Sequence, residues 1–438
     1  MPAPKNQSAM KVLIFAHVPP PHHGQSYMVQ LMLNGFGGDC RKNPQLVGQS
    51  PHGIECYHVN ARVSQKLEDI GDMRFGKIFL MLGYCAQAIW CRYRYGVKNF
   101  YFIPAPGKKS ALYRDWLVMF VCRPFFKRLI LHWHAAGLAK WLETSVQIRW
   151  RSITYRALKS ADLCVVLSNY NRADAEKLLP QRIRIVSNGI LDPCPDFDRE
   201  LQPRRKLRRE CRAKMLSGQA PLPAELAQAD GDPRIFNVLY LAHCMTEKGL
   251  FDAIAAVQFA NEKLAAQTSP LRIRLNVAGN FVTTEERATF DQLLLKPECA
   301  QSVHYLGFVS GGKKTAALRD TDLFCFPTFY QNENQPVNLI EAMAFGLPIV
   351  TTRWRSLPEM FPAHYPGLVE THSPEKIAAA LLQLITSDVG DELRQIFVKN
   401  FALESYLAGL AKCFRSVETP PDYLPYIRLF LARKNKHG

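Results

Sequence analysis

The chain has 438 residues, 47% hydrophobic and 21% charged, a globular composition too long for one ordinary core and suited to two domains of roughly 200 residues. Its 55 Lys and Arg against 38 Asp and Glu leave a net charge of +17, so an anionic partner is expected: nucleic acid, a phospholipid surface or phosphorylated small molecules. No stretch has the composition of a disordered tail.

The start, Met1-Pro2-Ala3-Pro4-Lys5, runs on without a long apolar region, so no secretory signal is expected. Residues 12–15 (Val-Leu-Ile-Phe) read as a buried strand, ended by a loop with Pro19, Pro20, Pro21 and Gly24, and a helical pattern begins near Ser26. The longest apolar segment, residues 78–90, is broken by Gly83 and Gln87 and is shorter than the ~20 residues that cross a bilayer. No transmembrane helix is expected. Further strands are predicted at residues 100–103, 129–132, 163–167 and 183–186.

Residues 193–233 change character. They carry the basic run Arg204, Arg205, Lys206, Arg208, Arg209, Arg212 and Lys214, then a stretch rich in Pro, Ala, Gly and Gln. This reads as an interdomain connection with a basic helix and a loop. A second strand series is predicted at residues 236–241, 273–278, 303–306, 323–326 and 349–352, with helical patterns between. Short β runs alternating with helices indicate parallel sheets covered by helices. The expected fold is α/β with two Rossmann-like parallel-sheet domains, residues 1–195 and 196–415, and a C-terminal helix over 416–438 returning to the first. Ligands of such sheets bind beyond the carboxyl ends of the strands, which makes a cleft between the two sheets the default site.

The twelve cysteines hold no CxxC, the closest pair being Cys85 and Cys91. Reduced, mostly buried thiols in a cytosolic protein are expected, without a zinc site.

The most informative stretch is residues 327–348. A strand ends at Pro327, a polar loop follows, Asn334 is a candidate N-cap, Pro336 fits the first helical turn, and Gly346 with Pro348 suits the end. The helix then points its free N–H groups and positive dipole end beyond the sheet, an arrangement suited to a diphosphate. Glu333 falls in the loop and Glu341 within the helix. Two acids in isolation would be a solvated loop residue and an ordinary helix carboxylate. Glu333 and Glu341 with the following Ala342-Met343-Ala344-x-Gly346-x-Pro348 resemble the E-x7-E signature of retaining GT-B glycosyltransferases, especially glycosyltransferase family 4. The segment from Ala242 to Gly249 is similar to that family's G-R-x-x-x-x-K-G piece. Lys248 matches its diphosphate-binding lysine, and His243 stands where the family has arginine.

In the first half, the loop with Gly24 resembles the family's glycine-containing loop after the first strand. Leu131-His132-Trp133-His134-Ala135-Ala136-Gly137 resembles the strand end whose histidine, here His134, contacts the donor sugar. Ala161-Asp162 to Ser168 and Ser187-Asn188-Gly189 are fold markers of the same resemblance, which runs from about residue 11 to about residue 415 with a divergent stretch at 41–98.

The resemblance implies transfer of a sugar from a nucleotide-diphosphate sugar to a glycan or lipid-linked acceptor, with retention and without a metal or other cofactor. Glu333 and His134 would act at the reacting sugar. Lys248, His243, Gly24 and the amides of Val337 and Asn338 would hold the diphosphate, Glu341 the ribose, and Phe308 would lie near the base. Tyr84, Trp90, Tyr93 and Tyr95 alternate with Arg92, Arg94 and Lys98, and residues 114–127 mix Trp116, Phe120, Phe125 and Phe126 with basic groups. Such a surface suits anionic lipid, so the expected place is the cytoplasm and the inner face of the plasma membrane. Two other functions remain open: a GT-B sugar-nucleotide epimerase, and a basic nucleic-acid-binding protein. No nucleic-acid-binding module is recognisable, so no nucleic-acid partner is expected.

Overall fold

The computed structural model describes residues 9–20, 24–62, 75–104, 107–229 and 231–419. Contacts divide the chain into two units, residues 1–186 with 407–438, and residues 187–406.

The first unit is built on one parallel sheet of Met10–Phe15 (β1), Ile54–Val59 (β2), Asn99–Phe102 (β3), Arg128–His132 (β4), Leu163–Val166 (β5) and Ile183–Ile185 (β6), in the order β2-β1-β3-β4-β5-β6. The second holds Ile235–Leu241 (β7), Arg272–Ala278 (β8), Val303–Gly307 (β9), Leu323–Phe326 (β10), Ile349–Thr352 (β11) and Leu368–Val369 (β12), in the order β12-β11-β10-β7-β8-β9, again parallel. Strands such as β1, β5 and β10 read as near-continuous apolar runs because helices cover both faces of a parallel sheet. The four residues of β10, Leu-Phe-Cys-Phe, are all buried.

The expected strands are all present, and β2 and β12 are additional. β2, Ile-Glu-Cys-Tyr-His-Val, lacks an apolar run because two polar residues are buried within it. Glu55 accepts hydrogen bonds from the Gly48 N–H at 2.8 Å and the Tyr57 hydroxyl at 3.3 Å, and His58 Nε2 lies 2.8 Å from the Ala16 carbonyl oxygen. Those partners replace water. β12 has two residues, too few for periodicity to register.

The division falls at 186/187, where the sequence reading drew 195/196. The stretch that rejoins the first unit begins at Leu407, inside the helix Leu403–Ser416, rather than at 416. There Phe414 packs on Phe36 and Tyr101, with ring centroids 6.1 and 5.9 Å away. Residues 420–438, part of the expected returning helix, lie outside the described residues, as do Pro21–His23 of the early loop.

The basic run forms the helix Gln202–Leu216, the basic helix expected there. Three of its arginines, Arg205, Arg208 and Arg212, are taken up inside the second unit rather than left facing solvent. Asp322 receives Arg212 at 2.8 Å and Arg208 at 3.3 Å, and it also accepts the Asn237 N–H at 2.9 Å. Arg208 and Arg212 also donate to the backbone carbonyls of Ala229, Pro233 and Ile235. Arg205 donates to the carbonyls of Phe345 and Leu318; burial pushes its guanidinium down to about 10, so it stays charged at neutral pH.

In the first unit the helix Phe75–Arg94 turns Met81, Cys85, Ala88 and Cys91 into the core. Its opposite stripe leaves Phe79 73%, Trp90 52% and Tyr93 68% exposed. Among the described residues no helix is long and apolar enough to cross a membrane. All twelve cysteines are buried and unpaired.

Candidate active site

The second sheet brings the site together by its topology. β8 and β9 extend it on one side of β7, and β10 to β12 on the other. The crevice between β7 and β10 is therefore a switch point, where parallel sheets place their ligands. Lys248 follows β7 in the short 3-10 turn Thr246–Lys248, and Glu333 lies in the loop leaving β10. The two side chains meet, with Lys248 Nζ 2.6 Å from Glu333 Oε2.

Gly249 makes this meeting possible. It has φ +79°, and a Cβ there would stand 2.2 Å from the Pro327 carbonyl oxygen. Only glycine lets the two loops approach so closely in that conformation. The Phe329 N–H then donates to the Glu247 carbonyl at 2.8 Å. Thr328 Oγ1 lies 3.1 Å from Glu333 Oε2, and Lys248 Nζ sits 4.4 Å from the Tyr330 ring centroid. Glu333 is thus held by an ammonium and a hydroxyl, and Lys248 by a carboxylate and an aromatic face.

Glu341 lies in the helix Val337–Ala344, whose N-cap is Pro336 rather than Asn334. Asn334 serves the loop instead, its side-chain oxygen accepting from the Ser356 hydroxyl at 2.8 Å. Gln335 is pinned by Asn188, whose N–H donates to Gln335 Oε1 at 2.9 Å and whose Nδ2 donates to the Gln335 carbonyl at 3.1 Å. The Ser187-Asn188-Gly189 piece therefore fixes the loop that carries Glu333. Asn338 is committed to the same frame, with Nδ2 2.8 Å from the Leu241 carbonyl at the end of β7. The N–H groups of Val337 and Asn338 open the helix and have no acceptor within it. At the other end, Arg205 and Arg394 donate to the carbonyls of Phe345 and Ala344. Two buried cations thus satisfy that terminus and complement its dipole, and the basic run supports the Glu341 helix from behind.

Lys314 was not anticipated from sequence. It lies in the helix Gly311–Arg319 and places Nζ 2.5 Å from Glu341 Oε1. Its sequence signal was only a Lys-Lys pair after a glycine turn, indistinguishable from a solvated helix start. The contact depends on the crossover that carries the chain from the edge strand β9 to β10 in the middle of the sheet.

His243 is largely buried, and burial with the nearby Lys248 charge lowers its pKa below the ordinary value of 6.5. It is neutral at physiological pH, so Lys248 is the cation of this loop. Phe308 is well exposed just past β9. Gly24 and His134 belong to the first unit. Gly24 opens the helix Gly24–Gly35 and is exposed. His134 follows β4, its ring 4.2 Å from that of His132. Burial holds His132 well below the usual imidazole range, and its Nδ1 lies 2.8 Å from the Tyr101 hydroxyl. Among the described residues no three His, Cys, Asp or Glu side chains converge as a metal site.

A paired lysine and glutamate at the switch point, a second lysine–glutamate pair and a helix N-terminus coincide with one family assignment: residues 228–402 match the family Glycosyl transferases group 1. Residues 228–402 are a group 1 glycosyltransferase domain. A relative from Salmonella typhimurium, carrying the name colanic acid biosynthesis glycosyltransferase WcaL, is 29% identical over 166 residues, 37% of this chain and 38% of that protein's own length. Among solved structures, a glycosyltransferase of Rickettsia africae aligns with TM-score 0.60 and 12% identity over 94% of this chain and 100% of its own. The Anabaena protein Alr3699/HepE, solved with UDP-glucose, aligns with TM-score 0.58 and 14% identity over 93% and 100%. The fold is α/β with two Rossmann-like units of the GT-B type.

Proposed function

We propose that the chain moves a sugar from a nucleotide-diphosphate sugar to a glycan or lipid-linked acceptor, with retention at the anomeric carbon and without a metal ion. The observation that carries this is the 2.6 Å Lys248–Glu333 pair at the switch point, next to the opening N–H groups of the Glu341 helix. A donor diphosphate is the natural occupant of that N-terminus and of the Lys248 ammonium. Its arrival would draw Lys248 from Glu333 and leave that carboxylate beside a sugar gaining positive charge. Backbone N–H groups at the helix start and the Lys248 ammonium would stabilise the departing diphosphate without a metal. Glu341, with Oε1 on Lys314, would offer its other oxygen to the ribose, and Phe308 an exposed ring for the base. From the first unit, His134 is the candidate sugar contact and Gly24 the candidate phosphate contact that the family resemblance implies.

Titration against UDP-, GDP- and ADP-sugars, followed by product analysis in EDTA, tests this reading. The expected product is a new glycoside with the donor's anomeric configuration. An isomerised donor would identify an epimerase, an inverted glycoside would remove retention, and activity restored only by divalent metal would remove metal independence.

Glu341→Ala is expected to weaken donor binding roughly ten- to hundred-fold, since a hydrogen bond to a charged group contributes ~1.5–3 kcal/mol. Lys314→Met should weaken it less, because the carboxylate stays while its positioning partner goes. Calorimetric donor affinity of both variants decides, and unchanged affinity in Glu341→Ala takes that residue out of the site.

The proposed membrane partner is supported by the helix Phe75–Arg94 and the segment after it. Phe79, Trp90, Tyr93 and Phe120 are exposed, and between residues 75 and 128 the only acidic residue is Asp115, which is buried. Apolar tips among cations suit an anionic bilayer surface. Anionic vesicles should sediment the protein at low salt and release it as ionic strength rises, whereas equal recovery on neutral vesicles would count against this partner.

A further inference from the structure

Outside the carboxyl ends of β1 and β2, within the first unit, lies an open cavity of about 330 Å³. That volume is at the lower end of small-molecule sites, ~300–1,000 Å³. Asp39, Arg41, Lys42, His58, Asn60 and Gln87 line it. None of them belongs to the donor site described above.

The charges in this wall do not cancel. Asp39 is spent on Arg41: its carboxylate accepts from Arg41 Nε at 3.1 Å and from the guanidinium at 2.8 Å, and it takes the N–H groups of Arg41 and His58 at 3.1 and 3.3 Å. Arg41 also donates to the His58 carbonyl. His58 is neutral, because burial lowers its pKa below 6.5. Its Nε2 faces the Ala16 carbonyl oxygen, which can only accept, so Nε2 carries the proton and Nδ1 the lone pair. Lys42 is exposed and forms no ion pair among the described residues. One positive charge is therefore left over in the wall.

Neutral hydrogen-bonding groups accompany it. Asn60 uses Oδ1 to accept the Val18 N–H at 3.2 Å, and its Nδ2 hydrogens have no acceptor among the described residues. Gln87 stands exposed on the helix Phe75–Arg94 and offers both a donor and an acceptor. Amides of this kind match ring hydroxyls, which both donate and accept, and an uncompensated ammonium matches a carboxylate or phosphate. We propose that this cavity binds a sugar residue bearing an anionic group, with Lys42 on the anion and Asn60 and Gln87 on the hydroxyls. The inference rests on the glycosyltransferase reading, in which such a residue belongs to the acceptor.

Saturation-transfer NMR of the full chain with glucuronic acid, glucose 6-phosphate and glucose tests it, with inorganic phosphate as competitor and nucleotide-sugar affinity measured in parallel. At least one charged sugar should bind about tenfold more tightly than glucose, the effect of one charge-assisted hydrogen bond. The ratio between the two charged sugars tells carboxylate from phosphate. Lys42→Ala should erase the preference, and the double change Asn60→Ala with Gln87→Ala should weaken all three sugars, with nucleotide-sugar affinity unaltered throughout. Equal binding of glucose and both charged sugars, a preference that survives Lys42→Ala, no transfer to either charged sugar, or displacement by phosphate as effective as by the charged sugar would overturn the proposal. Loss of nucleotide-sugar binding with sugar discrimination intact would instead strike the glycosyltransferase reading and leave the cavity's ligand class standing.

Discussion

Glu333→Gln should leave a folded protein that takes up its donor normally but transfers the sugar about 10²–10³-fold more slowly, the usual loss for one preorganised electrostatic partner. The carboxylate would support positive charge that exists only in the transition state, so its removal lowers turnover rather than donor binding. The substituted amide keeps the size of the side chain and can still accept from the Thr328 hydroxyl, which now lies 3.1 Å from Oε2. Lys248 would lose its 2.6 Å partner yet keep the Tyr330 face, 4.4 Å from its ammonium. An ammonium no longer neutralised by Glu333 is more available to a diphosphate, so donor affinity should stay level or rise modestly. Single-turnover transfer beside calorimetric donor affinity reads both quantities. Near-normal turnover in the variant would show that the central carboxylate has been assigned wrongly.

Asp322→Ala should destabilise the second unit by about 3–5 kcal/mol, the range for breaking a buried pair and stranding its partner. Two guanidinium groups depend on this carboxylate, Arg212 at 2.8 Å and Arg208 at 3.3 Å, and its side chain is only 3% exposed. The neighbouring Lys206 is exposed, so Lys206→Ala should change stability by no more than ~0.5 kcal/mol. Denaturant unfolding of both variants compares an internal cation site with a surface one on the same helix. A loss in Asp322→Ala no larger than in Lys206→Ala would mean that the basic helix is not held by Asp322.

Much of this molecule was legible residue by residue. The strands with uninterrupted apolar runs, such as β1 and β10, announce themselves because a parallel sheet buries both faces. Lys248, Glu333 and Glu341 are singled out by the resemblance of their segments to the E-x7-E and G-R-x-x-x-x-K-G motifs, because taken singly they read as solvated side chains. β2 escaped because Glu55 and His58 are polar residues whose partners, Gly48, Tyr57 and the Ala16 carbonyl, are supplied by other segments.

Local sequence determined the strands other than β2 and β12, where the Glu341 helix ends, and that the loop before it carries a carboxylate, since those outcomes rest on short-range patterning, glycine conformation and capping. Tertiary structure alone decided that Lys248 stands on Glu333 and Lys314 on Glu341, contacts between residues 85 and 27 positions apart. It also decided the fate of the basic run. Charge counted along the chain does not tell a buried arginine from a solvated one, but desolvation makes the buried guanidinium groups of Arg205, Arg208 and Arg212 take the nearest carboxylate and carbonyls. Which acceptors lie nearest follows from how β7 and β10 pack beneath the helix, and no local pattern encodes that.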